Sequence, residues 1–160
     1  MAIYVEYEGI KGNVTADGYK DHIAVHSLQF GVGRGISMEP GNLSNREATR
    51  PTISEVTLTK PADTSATALF KEAVTGSSGK KVTIKFLQTG ADKVVEYMTY
   101  TLEDVLVSGY SVSADSEGDP MESISLSFSK IMVNYNDYDK TNKSANPQRV
   151  GYDLSTAKPL

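Results

Sequence analysis

The alternation of apolar and polar positions is most regular from Glu122 to Lys130. Ile124, Leu126 and Phe128 fall on one face, and Ser123, Ser125, Ser127 and Ser129 fall on the other. Side chains alternate sides along a strand, so this pattern predicts a strand with one buried face and one face of small hydroxyls. Upstream, Val105, Leu106 and Val107 are apolar on both faces, as in a strand packed on both sides. The acidic segment Asp115–Pro120 (DSEGDP) between them is rich in turn formers. Met98–Asn134 therefore reads as a long hairpin within a larger wall. Alternation returns at Ile3–Tyr7, at about His22–Phe30, at Ile53–Lys60 and at Val82–Phe86. In the second of these, His22, Ala24, His26, Leu28 and Phe30 share one face, and Ile23, Val25, Ser27 and Gln29 share the other.

The period changes once. Behind Pro61, the residues Asp63, Thr64 and Ser65 offer N-caps. Ala66, Leu69, Phe70, Ala73 and Val74 then recur at helical spacing, and Gly76 offers a stop. One amphipathic helix of about three turns is predicted, laying its stripe on a sheet. Gly31–Thr52 has glycines, prolines and both charges but no sustained period, and reads as an extended irregular loop (31–52). Connections longer than roughly 12–15 residues are uncommon in compact domains and are often functional. From Asp137 the chain reads as a polar tail (137–160) with an apolar island at Val150, Tyr152 and Leu154. Several strands, one helix and no βαβ rhythm predict a mainly β chain: an antiparallel barrel or sandwich with a single packed helix.

Length, charge and composition narrow the function. The 160 residues suit a single domain over 1–160. A net charge of −4 argues against nucleic acid as a partner. The absence of cysteine excludes disulfides and thiolate metal sites. The N-terminal MAIYVEYEGIKG reads as a strand, with no Sec-type leader. No apolar run approaches the roughly 20 residues that span a bilayer, so no membrane insertion is expected. Export would need a route that cleaves no signal.

Candidate chemistry is sparse. In Thr75–Lys81 (TGSSGKK) the glycines are too close for a phosphate loop, no Ser or Thr follows the lysines, and the segment follows a helix instead of opening one. Gly31–Gly35 (GVGRG) lacks the dinucleotide spacing. His22 and His26 would stand about 13 Å apart on a strand, too far to share a metal. The acidic turn with Asp115, Glu117 and Asp119 lacks the register of a calcium loop. No serine sits in a nucleophile elbow. No catalytic, cofactor or metal site is expected, and an enzyme built on paired carboxylates would have to show a cleft with perturbed acids.

Tyr100–Gly109 (YTLEDVLVSG) and Gly118–Ile131 (GDPMESISLSFSKI) resemble the hemolysin-coregulated protein family, Hcp, the tube proteins of bacterial type VI secretion. Other pieces follow in family order: Gly9–Gly12 (GIKG), Gln29–Val32 (QFGV), Leu69–Gly76 (LFKEAVTG) and Gly151–Leu154 (GYDL). The resemblance covers essentially the whole chain. It implies a two-sheet β-barrel with one flanking helix, a fold shared with phage tail tubes. It implies no enzyme activity and no cofactor. Homohexameric rings would stack into a tube inside a contractile sheath, in company with spike and effector proteins, and carry or chaperone effectors in the lumen. The protein would begin in the cytoplasm of a Gram-negative bacterium and leave it through the type VI system without a cleaved signal peptide. A phage tail tube-like protein and a monomeric secreted barrel binding a small ligand are the alternatives.

On this reading Val105, Leu106 and Val107 are expected to pack inside the chain's own barrel and also against a neighbouring subunit. Ser27 and Gln29 are expected to meet cargo in the lumen. Arg34, Glu39, Arg46 and Glu47, in the long loop, are the candidate charge partners between stacked rings. The serine ladder suits either a lumen or an outer surface. A 160-residue domain has a radius of gyration of roughly 15 Å, and six equivalent spheres in a ring leave a hole about 39 Å wide.

Overall fold

The structure is a computed structural model that describes residues 1–48, 50–89, 94–138 and 144–160, with side chains described except at 37–39, 42–48, 137–138 and 144–146. In chain order the elements are β1 (Ala2–Tyr7), β2 (Ile23–Val25), β3 (Ser27–Gln29), β4 (Val32–Gly33), β5 (Ile36–Glu39), β6 (Asn42–Ala48), β7 (Thr52–Ile53) and β8 (Val56–Pro61). The helix α1 (Ala66–Thr75) follows, then β9 (Lys80–Thr89), β10 (Val94–Ser113), β11 (Met121–Ser127), β12 (Lys130–Tyr138), β13 (Ser144–Asp153) and β14 (Lys158–Pro159). The mainly β class with one short helix is as expected, and the strands form two main antiparallel sheets beside two short ladders, β4-β7 and β5-β6.

The first sheet runs β14-β13-β12-β10-β9-β1-β2 and the second β10-β11-β8-β3. β10 belongs to both. Met98–Glu103 pair with β12, whereas Leu106–Ser113 pair with β11. The bend lies at Asp104, which has φ 58, and the β9 ladder shifts there between Leu102 and Val105. Gly79 packs directly under this bend. A Cβ on it would stand 2.7 Å from the Asp104 Cα, so no side chain fits.

The other passage between the sheets is His26. β2 pairs with β1 and β3 pairs with β8, and the His26 N–H donates to the Thr59 carbonyl at 2.7 Å. The inward parity changes at this point. Ile23 and Val25 are buried before it, and Leu28 and Phe30 pack on the core after it. The predicted single strand at 22–30 is therefore two short strands serving different sheets. β2 and β3 share no ladder, so the barrel is two sheets joined by two bent segments, not one closed ring of strand pairs.

Val5, Val56, Ile84, Leu102, Val105, Ile124 and Leu126 fill the space between the sheets. Among the described residues these side chains form one buried cluster, as small barrels fill their interiors with side chains. The helix closes this core with Leu69, yet Phe70 and Val74 are 57% and 66% exposed, so its apolar stripe lies only partly on the sheet. Ser65 holds the N-cap position without a side-chain cap. Gly76 ends the helix with an extended backbone (φ −66), and its N–H donates to the Glu72 carbonyl at 3.0 Å. A Cβ on Gly76 would come within 2.5 Å of that oxygen, so its small size matters and not a left-handed φ.

Two expectations are corrected here. The segment 31–52 is not irregular. β4 pairs with β7, and β5 pairs with β6 in a hairpin whose turn contains Gly41 at φ 85. Its glycines and prolines and its mixed charges masked the strand signal. The segment read as a polar tail carries β13, which pairs with β12 over Asp153 to Gln148 and beyond.

The substitution Gly79→Ala is expected to destabilise the fold by about 1–3 kcal/mol, the usual range for overpacking a filled site. Urea unfolding monitored by circular dichroism checks this, and an unchanged midpoint would contradict the close approach to Asp104.

Candidate functional site: the outer face and free edges of the second sheet

The register of the second sheet lines up its outward side chains in rows. Ser27, Thr59, Ser123 and Ser111 are successive cross-strand partners, and so are Gln29, Thr57, Ser125 and Gly109. Ser27, Gln29 and Ser111 are exposed, while Thr57, Thr59, Ser123 and Ser125 are half-buried. The Ser27 and Thr59 hydroxyls hydrogen-bond to each other. These two rows contain no charge and no large apolar side chain, whereas the rows that flank them on the same face bring Met121 opposite Pro61 and Leu106 opposite Ser127. Such a face is hydrated yet offers little to which a passing protein would adhere. The structure brings the two expected lumen residues, Ser27 and Gln29, onto the same face as the serine ladder. That relation was not legible in the sequence, because it depends on the change of parity at His26.

Both margins of this sheet are open. Among the described residues, β3 is paired only with β8, and Leu106–Ser113 of β10 only with β11. Val105 and Val107 are enclosed in the protein's own core, at 0% and 8% exposure. Leu106 between them points outward and is 38% exposed. Val112, Phe70 and Val74 are also exposed, on β10 and on the adjoining helix. The Phe70 ring packs edge-on against Tyr110 at 6.0 Å. Arg34 is exposed after β4. Glu39 lies on β5, and Arg46 and Glu47 lie on β6, but their side chains fall outside the described residues.

Sequence reading passed over a charged cluster under this face. Glu122 alternates onto the apolar side of β11 with Ile124, and its cross-strand partner is Lys60, on the apolar side of β8 with Val56 and Leu58. Opposite charges at core-facing positions of two strands are the signal that identifies such a pair. Lys60 Nζ lies 2.5 Å from Glu122 Oε1 and 3.0 Å from Asp63 Oδ1. The Tyr110 hydroxyl donates to Glu122 Oε2, and Asp63 Oδ1 accepts from the Ser65 N–H and hydroxyl. Burial and then the bond and charge of Glu122 push the Tyr110 phenol up to about 12. Burial, with the Glu72 charge second, raises Tyr7 to about 12 as well.

The histidines hold separate positions. His22 is buried, with Nε2 at 3.1 Å from Lys85 Nζ and 3.7 Å from Glu6 Oε2, whereas His26 is exposed. Among the described residues, no group of three or more His, Asp or Glu side chains stands where it could hold a metal. No described helix is long and apolar enough to cross a membrane.

Among the described residues, the fold is a two-sheet β-barrel whose second sheet has two rows of neutral side chains outward and an unpaired strand at each margin. Residues 4–135 match the family described as "Type VI secretion system effector, Hcp", and the chain belongs to that family. It is 25% identical over 104 residues to Protein hcp1 of Pseudomonas aeruginosa strain PAO1, an alignment that spans 64% of each chain. A structure described as a type six secretion system protein superimposes with a TM-score of 0.91 at 24% identity, covering 99% of both chains. Hcp1 from Salmonella typhimurium superimposes with a TM-score of 0.77 at 22% identity, covering 99% of this chain and 98% of that one. These two likenesses concern the fold.

The two raised tyrosines set an alkaline limit on stability. Each holds its proton more tightly in the folded state than at its ordinary value of 10.0, so its contribution is complete below pH 10 and is lost as the pH rises through about 12. Unfolding midpoints are expected to fall between pH 10 and 12 and to fall less steeply in Tyr110→Phe. Absorbance titration at the tyrosinate band, with denaturant melts at each pH, checks this. A flat profile would contradict it.

Proposed function

We propose that this protein is a structural tube subunit of a bacterial type VI secretion system. Six copies form a ring, rings stack into a tube, and effectors travel through or are held in its lumen. The observation that carries the reading is the second sheet, which combines a neutral hydroxyl face with an unpaired edge on each side. Exposed edges of this kind invite pairing with another strand, and a monomer would need to blunt them. Pairing β3 of one copy beside β10 of the next joins the sheets into a continuous wall and leaves no edge. Four strands a copy in a ring of six, at about 4.8 Å per strand, give a wall about 115 Å around and about 37 Å across. That agrees with the width estimated from chain length alone.

Ser27 and Gln29 then face the lumen along with Ser123, Ser125 and Ser111. Leu106 lies at the seam, where Val105 and Val107 support it from within. The hairpin of β5 and β6 extends from the end of β3 and bridges to the next ring, with Arg34, Glu39, Arg46 and Glu47 as charge partners. Such contacts are heterologous, head to tail, and a contact of that kind extends without closing. The protein acts first in the cytoplasm and leaves through the system it builds, without enzyme activity or cofactor. Sheath, spike and effector proteins are its partners.

Light scattering of the purified chain is expected to give six times the 17.3 kDa monomer mass. A monomer or dimer at high concentration would contradict the ring. Deleting residues 37–47 is expected to leave rings intact and abolish tubes under negative-stain microscopy. Loss of the rings themselves would contradict the role given to this hairpin.

A further inference from the structure

The cluster of Lys60, Glu122, Asp63 and Tyr110 is not used by the wall chemistry, yet it occupies the most enclosed part of the second sheet. Lys60 and Glu122 are 0% and 1% exposed. Their bonds tie β8 to β11 through Lys60 and Glu122, β11 to β10 through Tyr110, and both to the start of α1 through Asp63 and Ser65. One ammonium faces two carboxylates. The second oxygen of Glu122 takes the Tyr110 hydroxyl, and the bonded oxygen of Asp63 also takes the Ser65 N–H and hydroxyl.

Stability does not explain such a cluster. Removing two charges from water costs as much as or more than their attraction returns, and apolar residues of similar volume commonly serve a core at least as well. Directional bonds do supply something apolar packing lacks, a single fixed relation between the parts they join. The parts here are the helix and the half of β10 whose far edge is open. Tyr110 transmits the relation outward, since its ring carries Phe70 at 6.0 Å. The exposed side chains Phe70, Val74 and Val112 lie beyond it on the same two elements.

We propose that Lys60, Glu122, Asp63 and Tyr110 are positioning residues for assembly, which hold helix α1 and the free edge of β10 in the one arrangement that a second copy of this chain can dock against. The docking copy pairs with the β10 edge and at the same time covers Phe70, Val74 and Val112. Backbone pairing alone would tolerate a slipped register, whereas an edge and an apolar strip held in fixed relation accept only one. This rests on the ring reading above.

The test uses the full chain. The triple variant Lys60→Met, Asp63→Asn, Glu122→Leu removes the charges together and leaves none stranded, and Tyr110→Phe removes a single bond at a half-buried site. Thermal melts of dilute protein read the fold, and sedimentation across a dilution series reads the ring. The triple variant is expected to melt at or above the wild-type temperature while its rings dissociate at a protein concentration at least about tenfold higher. Tyr110→Phe is expected to shift ring dissociation in the same direction and to lower the melt, because the buried Glu122 Oε2 loses its donor. A triple variant that assembles like the wild type overturns the proposal. So does one that fails to fold, because the cluster would then belong to folding energy. Tyr110→Phe rings as tight as wild type would remove Tyr110 from the device. A wild-type chain that forms no ring overturns the ring reading itself, before any variant is compared.

Discussion

A strand that serves two sheets must turn without losing its partners, and the 20 residues of β10 do this at Asp104. Its first half lies between β9 and β12, and its second half leaves to form the margin of the other sheet. The turn requires a left-handed residue and a neighbour with no side chain, which Gly79 supplies. Much of the remaining architecture follows. Because the strand crosses over, Leu102, Val105 and Val107 all point into one core from two directions. Because only one flank of the second half is paired among the described residues, the crossing also leaves an open edge. The same bend that closes the core thus provides the surface on which an assembly can be built.

Much of this fold was legible as alternation. β11 shows its two faces directly in Ile124, Leu126 and the serines, and the helix shows its period in Leu69 and its stop in Gly76. What was not legible is where a face changes side. At His26 the inward set passes from Ile23 and Val25 to Leu28 and Phe30, and no single-strand pattern marks such a switch, because it is imposed by the partner strands. For the same reason Ser27 and Gln29 could not be placed beside the serine ladder until the register was known. The hairpin of β5 and β6 was missed on different grounds. Its sequence shows no sustained alternation, and that alternation is what a strand pattern is read from. Val105–Val107 looked apolar on both sides because Leu106 is an exposed residue between two core residues.

The pair Lys60–Glu122 was legible in principle. Each residue sits in phase with apolar neighbours on a strand that reads clearly, and charges in that phase have to be paired. Pairing them correctly required knowing that β8 and β11 are neighbours, although about 60 residues separate them in sequence. Beneath the second sheet, Lys60 is enclosed with the two carboxylates of Glu122 and Asp63. On the two outward rows charge is absent, and hydroxyls take its place. The proposed tube wall would benefit from both, since fixed internal bonds hold its shape and neutral rows offer little for a passing protein to adhere to.

The chain belongs to the Hcp family, and the proposed ring turns the second sheet, with its two edges and its neutral rows, toward the axis. Electron cryo-microscopy of the assembled protein tests this directly. The expected map is a six-fold ring with a channel about 37 Å across, lined by Ser27, Gln29, Thr59 and Ser125. A ring whose channel is lined instead by the outer face of the first sheet, with Tyr4, Lys85 and Thr99 toward the axis, would contradict it.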